Sequence, residues 1–193
     1  MDSKDSLTIA DEIIGLYERH GGEDYIGEPI SQLEHMSQSA QLAERDGYEE
    51  EVILAAFLHD IGHLCAGMGE AADSMGGFGV RSHEKVGADF LRKRGFSERL
   101  ARLVESHVQA KRYLTFADPA YYEKLSEASK NTLTFQGGRM TEEEASDFEK
   151  SELFSLSIQM RQWDELAKEQ KLPVVDLEVF WAMCVSHLRR SET

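Results

Sequence analysis

The sequence predicts an all-α protein, a helical bundle. Apolar residues recur at helical spacing along nearly the whole chain, and only three prolines interrupt 193 residues. No stretch of four or more residues alternates apolar with polar as a half-buried strand would. Residues 5–19 read as a first helix, followed by the loop HGGEDYIGEP. SQLEHMSQSAQLAERDG reads as a second, with Leu33, Met36, Ala40 and Ala43 as its buried stripe and Gly47 as its stop. EEEVILAAFLHDIGH reads as a third, apolar enough all round to sit at the centre of the bundle. CAGMGEAADSMGGFGVRS is expected to be a long glycine-rich loop. HEKVGADFLRKRG follows as a helix, then SERLARLVESHVQAKRYL with Leu100, Leu103 and Val104 on one face. In DPAYYEKLSEAS, Asp118 is an expected N-cap with Pro119 at the first helical position. TEEEASDFEKSELFSLSIQMRQWDELAKEQ reads as one helix opening on a capping box, Thr141 and Glu144. A last helix, about 176–190, closes the chain.

The length suits one well-cored domain and is short for two. No repeat, low-complexity segment or linker marks a boundary, so residues 1–193 are expected to form a single domain. No apolar run approaches the roughly 20 residues of a membrane span, and the acidic N-terminus lacks the order of a signal peptide. Cys65 and Cys184 make no disulfide framework, so a reducing cytoplasm is the expected setting. The formal net charge is −15, from 36 acidic and 21 basic residues. That balance argues against nucleic acid and anionic membranes as partners. It leaves the oligomeric state open. An anionic substrate would have to be drawn by a local site, a metal or a few positioned cations.

The stretch FLHDIGH asks for more than packing, because an apolar run ends there on a His, an Asp and another His. Five of the seven histidines, His35, His59, His63, His83 and His107, fall within 73 residues, in or beside predicted helices. A lone His near an apolar face is ordinarily a hydrogen-bonded core residue. His59 followed directly by Asp60 shifts that balance. A buried carboxylate costs several kcal/mol without a partner, and Asp has two oxygens with which to bridge two ions. His107 continues the stripe of Leu100, Leu103 and Val104, and Lys111 lies one turn further on. A lysine beside a metal centre repels it unless an anion is shared between them. The bland reading of Lys111 is a snorkelling surface residue. Asp164, with Arg161 three residues before it, reads locally as a structural ion pair.

In the order His35, His59-Asp60, His83, His107, Asp164, the chain resembles the dinuclear members of the HD-domain superfamily. The flanks DYIGEPISQLEH, GGFGVRSHEKVGADFL, GFSERLARLVESHVQAKRYL, LSEASKNTL, FQGG and RQWDE resemble its mixed-valence di-iron oxygenases, in the organophosphonate-degrading branch. The resemblance covers about residues 23–168, and the more distant inositol oxygenases share the ligand order. It implies an HD-type helical bundle with two iron ions, Fe(II)/Fe(III), and O2 as co-substrate. His35, His59, Asp60 and Asp164 would hold one iron; Asp60, His83 and His107 the other, with Asp60 bridging. Lys111, Ser129 and Arg161 match positions that cradle the phosphonate, and Gln32 and His63 match residues lining the pocket. Tyr25 and Glu28 match a loop that covers the open iron site and moves aside for substrate. The implied reaction is O2-dependent cleavage of the C–P bond of a 1-hydroxy-2-aminoethylphosphonate. A primary amine would give glycine and an N-trimethyl group glycine betaine, with release of phosphate.

A metal-dependent HD phosphohydrolase is the alternative, since the same ligand types can activate water. A non-catalytic helical module is disfavoured, because such modules usually lose ligands. Several features read as bland. MGGFG lacks the GK[ST] of a phosphate loop, Glu142–Ala145 is a solvated helix start, and Trp163 is packing. Cys65 reads as a small buried hydrophobe, and His20 and His187 as surface residues.

Overall fold

The computed structural model describes residues 3–25, 27–65 and 80–190. Most of the glycine-rich loop expected at 65–82 lies outside the described residues. The described chain forms eleven helices and no sheet; an isolated antiparallel bridge joins Asp24 to Ser31. They are α1 (Ser3–His20), α2 (Gln32–Arg45), α3 (Glu50–Leu58), α4 (Ile61–Leu64), α5 (His83–Arg92) and α6 (Glu98–Ala117). Then come α7 (Pro119–Lys124), α8 (Glu127–Phe135), α9 (Glu142–Glu149), α10 (Phe154–Leu166) and α11 (Leu177–Arg190). No helix among the described residues is long and apolar enough to cross a membrane.

The apolar third helix is central, as its composition requires. Every residue of α3 from Val52 to Leu58 is buried. α2, α6, α10 and α11 pack around it, and α1 lies against α11. The Phe57 ring is stacked between Tyr17 and Phe180, at centroid distances of 4.3 and 3.6 Å. A smaller cluster of Ala110, Met140, Ala145 and Phe148 seats α9 on α6.

Three predicted helices are each two. The third breaks at His59-Asp60, where Asp60 leaves the helical region (φ −106°, ψ 13°) before α4 resumes. Two carbonyls freed by the break are satisfied locally: Ala56 O accepts from His59 Nδ1 at 2.8 Å, and Phe57 O from the Tyr17 hydroxyl at 2.9 Å. The stretch 118–129 divides at Leu125, which is extended so that Ser126 can cap α8. The expected Asp118 cap stands, its carboxylate accepting from Ala120 N at 2.9 Å. The helix expected over 141–170 divides at 150–153, where the Ser151 hydroxyl takes the Leu153 N–H. Its capping box of Thr141 and Glu144 is present, and a second box, Ser31 and Glu34, opens α2.

Two glycines decide how close α4 and α5 come. A Cβ on Gly62 would lie 1.9 Å from the His83 carbonyl oxygen, and one on Gly87 3.1 Å from Gly62 N. The helices therefore cross backbone against backbone, which sets His83 beside Asp60. His187, expected on the surface, is buried: its ring stacks on Phe96 and its Nε2 accepts the Ser97 N–H at 3.1 Å. A polar ring can be interior here because a helix N-terminus supplies a donor. His20 is partly exposed and pairs with Glu23 at 2.9 Å.

Candidate metal centre

Six buried side chains from five places in the chain converge at the centre of the bundle. His35 comes from α2, His59 and Asp60 from the α3–α4 break, His83 from the start of α5, His107 from α6 and Asp164 from α10. They form two groups of three with ligand atoms close enough to share an ion: His35, His59 and Asp164, and Asp60, His83 and His107. In the first, His35 Nε2 lies 3.1 Å from His59 Nε2 and 3.3 Å from Asp164 Oδ1. In the second, His83 Nε2 lies 3.1 Å from both His107 Nε2 and Asp60 Oδ1. Asp60, a member of the second group, also faces the first. Its Oδ2 is 3.4 Å from His59 Nε2 and 3.6 Å from His35 Nε2, while its Oδ1 faces the other pair.

The donor set fits metal ions. All four imidazoles face backbone carbonyls with Nδ1: His35 to Ala167, His59 to Ala56, His83 to Val80 and His107 to Val104, at 2.7–3.3 Å. A carbonyl only accepts, so Nδ1 carries a proton and each ring aims its Nε2 at the centre, where the neutral form would offer a lone pair. Two such lone pairs at 3.1 Å repel unless a cation lies between them. Asp60 Oδ1 is buried without a hydrogen-bond donor, a state that is costly for a carboxylate oxygen lacking a cation. Burial opposes charge on His59, but the Asp60 and Asp164 carboxylates outweigh it and push the ring up to about 9. Burial likewise opposes ionisation of Asp60 and Asp164, yet the surrounding imidazoles, and Arg161 for Asp164, hold both carboxyls well below their usual range. Positive charge belongs at this point, as protons or as metal. Asp164 divides its oxygens: Oδ1 faces the histidines and Oδ2 makes the ion pair with Arg161 that local pattern suggested.

A cavity of about 60 Å³ opens beside the six residues. All seven residues expected at the substrate, Tyr25, Glu28, Gln32, His63, Lys111, Ser129 and Arg161, line it. Lys111 is buried and donates to Thr132 Oγ1 at 2.7 Å and Gln136 Oε1 at 2.9 Å. Burial first, then the Arg161 charge, lowers its amine to about 7. Arg161 is held by Asp164 and by the Tyr121 hydroxyl at 3.0 Å. Its Nη2 lies 3.0 Å from Glu165 without hydrogen-bond geometry, which leaves a buried donor. The His63 ring stacks on His83 at 4.0 Å and its Nδ1 accepts the Val80 N–H. Burial and the neighbouring His83 lower it to about 3, so it is neutral and its proton is on Nε2. Tyr25 stacks on His35 at 3.8 Å and so covers the first group. Burial and the Asp164 and Asp60 carboxylates keep its phenol protonated.

Sequence reasoning missed Thr132, Gln136 and Lys168, which also line the cavity, and Tyr121, which fixes Arg161. Thr132 sits one turn past Ser129 on α8, a spacing that could have pointed to it. Lys168 lies beyond α10, where no local pattern marks it.

Residues 32–152 match the HD domain. The chain is 41% identical over 168 residues to the [1-hydroxy-2-(trimethylamino)ethyl]phosphonate dioxygenase (glycine-betaine-forming) of Leisingera caerulea, covering 87% of this chain and 84% of the relative. It is 34% identical over 190 residues to the hydroxymethylphosphonate dioxygenase of Gimesia maris, covering 96% and 92%. An uncharacterised protein of Acanthamoeba polyphaga mimivirus is 42% identical over 179 residues, 93% of this chain and 81% of the relative.

Proposed function

The chain belongs to the HD-domain family, in its phosphonate-degrading oxygenase branch, and from that premise we propose that it uses O2 and two iron ions to cleave the C–P bond of a 1-hydroxyphosphonate. The observation that carries this reading is that the two oxygens of Asp60 face different histidine pairs, in the wall of a cavity that also holds buried Lys111 and Arg161. His35, His59, Asp164 and Asp60 Oδ2 would hold one ion; His83, His107 and Asp60 Oδ1 the other. Mixed imidazole and carboxylate ligation suits iron. The iron pair, when bound, supplies O2 activation and the electron transfer that the carbon requires. The overall change balances with O2 alone: R–CH(OH)–PO3H2 and O2 give R–COOH and H3PO4. One oxygen atom ends on carbon and one on phosphorus, so no outside reductant is consumed.

The side chains bind, orient and exclude water. Lys111 and the spare donor of Arg161 offset the phosphonate charge, which an acidic protein would otherwise repel. Thr132 and Gln136 keep the Lys111 ammonium in place, and Asp164 with Tyr121 holds the Arg161 guanidinium. His63, with its proton on Nε2, is a neutral donor for an oxyanion. Ser129 adds a hydroxyl and Gln32 a buried carbonyl oxygen that lacks a donor. Tyr25, stacked over His35, would have to turn aside for substrate to reach the first group, while Glu28 stays in the cavity wall.

The test is phosphate release and O2 uptake by iron-loaded protein. It would be given (R)-2-amino-1-hydroxyethylphosphonate, its N-trimethyl analogue and hydroxymethylphosphonate. O2-dependent phosphate is expected from at least one of them, with Asp60→Asn inactive and depleted of iron. Phosphate release that persists without O2 would instead establish a phosphohydrolase.

A further inference from the structure

Building on the phosphonate reading, we propose that Lys168 is a specificity-determining residue that competes with the substrate's own ammonium for Glu28. Among the described residues lining the cavity, Glu28 is the one carboxylate outside the two histidine groups, and thus the natural acceptor for a cationic substrate tail. It is already engaged. Lys168 Nζ lies 2.6 Å from Glu28 Oε1, with the two side chains only 22% and 13% exposed.

Both partners stand on fixed backbone. Lys168 follows Ala167, whose carbonyl orients His35, and its own N–H is bonded to Leu166 O at 2.8 Å. Glu28 sits in a turn closed by its N–H to Tyr25 O at 2.9 Å. The turn is seated on α8 by Gly27, where a Cβ would come within 2.7 Å of Ala128 Cβ. The positive φ of Gly27, 80°, suits glycine as well. The pair is thus a built feature of the cavity wall. Lys168 is also among the charges that press the Lys111 amine downward, which sets it within the field of the anion site.

The consequence is a difference between substrates. An ammonium-bearing tail gains from Glu28 only what exceeds the existing ion pair. A tail with no charge leaves that pair intact and loses nothing. Lys168 therefore reduces the preference for cationic tails, and its charge sets where the site stands between amino- and plain hydroxyphosphonates. Removing the lysine charge leaves Glu28 a partly buried, uncompensated carboxylate, which favours a cation by roughly tenfold or more at the distance of an ion pair.

Two ligands isolate the effect: 2-aminoethylphosphonate and propylphosphonate. They match in length, differ in a terminal ammonium against a methyl, and both lack the 1-hydroxyl. Their dissociation constants would be measured by calorimetry on metal-loaded wild type, Lys168→Met, Lys168→Gln and Glu28→Gln, each checked for its helical circular dichroism. The expected result is an amine-over-propyl preference about tenfold larger in both Lys168 variants and close to parity in Glu28→Gln. A preference in the Lys168 variants equal to that of wild type overturns the proposal. That includes the case where both ligands tighten together, which loosening of the loop alone would give. Failure of the wild type to bind either phosphonate would overturn the phosphonate reading itself, and this proposal with it.

Discussion

Lys111 shows how much one buried charge can decide. Its amine is lowered to about 7, by burial first and then by Arg161, with Lys168 adding to the effect. Below that pH it is an ammonium able to pair with a phosphonate; above it, a neutral amine. Anion affinity should therefore fall as pH rises through 7. The KM for a phosphonate is expected to climb beyond that point, by up to about tenfold per unit. Lys111→Arg should flatten the limb, because a guanidinium stays charged throughout. KM measured from pH 6 to 9 decides it, and a flat wild-type profile would sink the idea. Local pattern left Lys111 open between a surface lysine and an anion ligand. The structure puts it inside, held by Thr132 and Gln136 from a helix more than twenty residues away in the chain.

At the scale of elements, the break between α3 and α4 is the device that builds the centre. An unbroken helix would point His59 and Asp60 about 100° apart. With Asp60 out of the helical region, both turn to the same point, and His59 Nε2 comes within 3.4 Å of its neighbour's Oδ2. The glycine of HDIGH then lets α5 approach. Gly62→Ala should cost more than the 1–3 kcal/mol of ordinary overpacking, because the added methyl meets backbone that cannot rotate away. Gly87→Ala, with its nearest contacts at 3.1 Å, should cost less. Denaturant melts would rank the two variants, and metal content is expected to fall further in the Gly62 variant, which disturbs the placing of His83. Equal stability of both variants would contradict the backbone contact. The breaks at 125 and 150–153 were not legible, because neither a glycine nor a proline marks them.

For the whole molecule, the six converging groups make metal binding part of folding. The folded chain holds four imidazole lone pairs and two carboxylates at distances that only cations make favourable. Metal that binds the native state alone at 100 times its dissociation constant adds about 2.7 kcal/mol. For a chain of this size that is a rise in Tm of roughly 5–10 °C. Calorimetric scans before and after chelation should show such a fall, reversed on returning the metal, with protons released as it binds. An unchanged Tm would mean that the groups are satisfied by protons alone.

Much of this was written locally. Helical periodicity gave the fold class and most elements, because the face a residue occupies depends only on its neighbours one turn away. The order His35, His59-Asp60, His83, His107, Asp164, with its flanking strings, pointed to a candidate ligand set through resemblance to a family rather than through periodicity. What periodicity cannot state is which distant group a face will meet. His35 Nδ1 finds Ala167 O 132 residues away, and Glu28 finds Lys168 at a separation of 140. The division of Asp60 between two histidine groups, the direction of every Nε2 and the entry of Lys168 into the cavity were decided only by tertiary packing. They depend on the relative placement of α2, α5, α6 and α10, and that is fixed by the burial of a shared core rather than by any one segment.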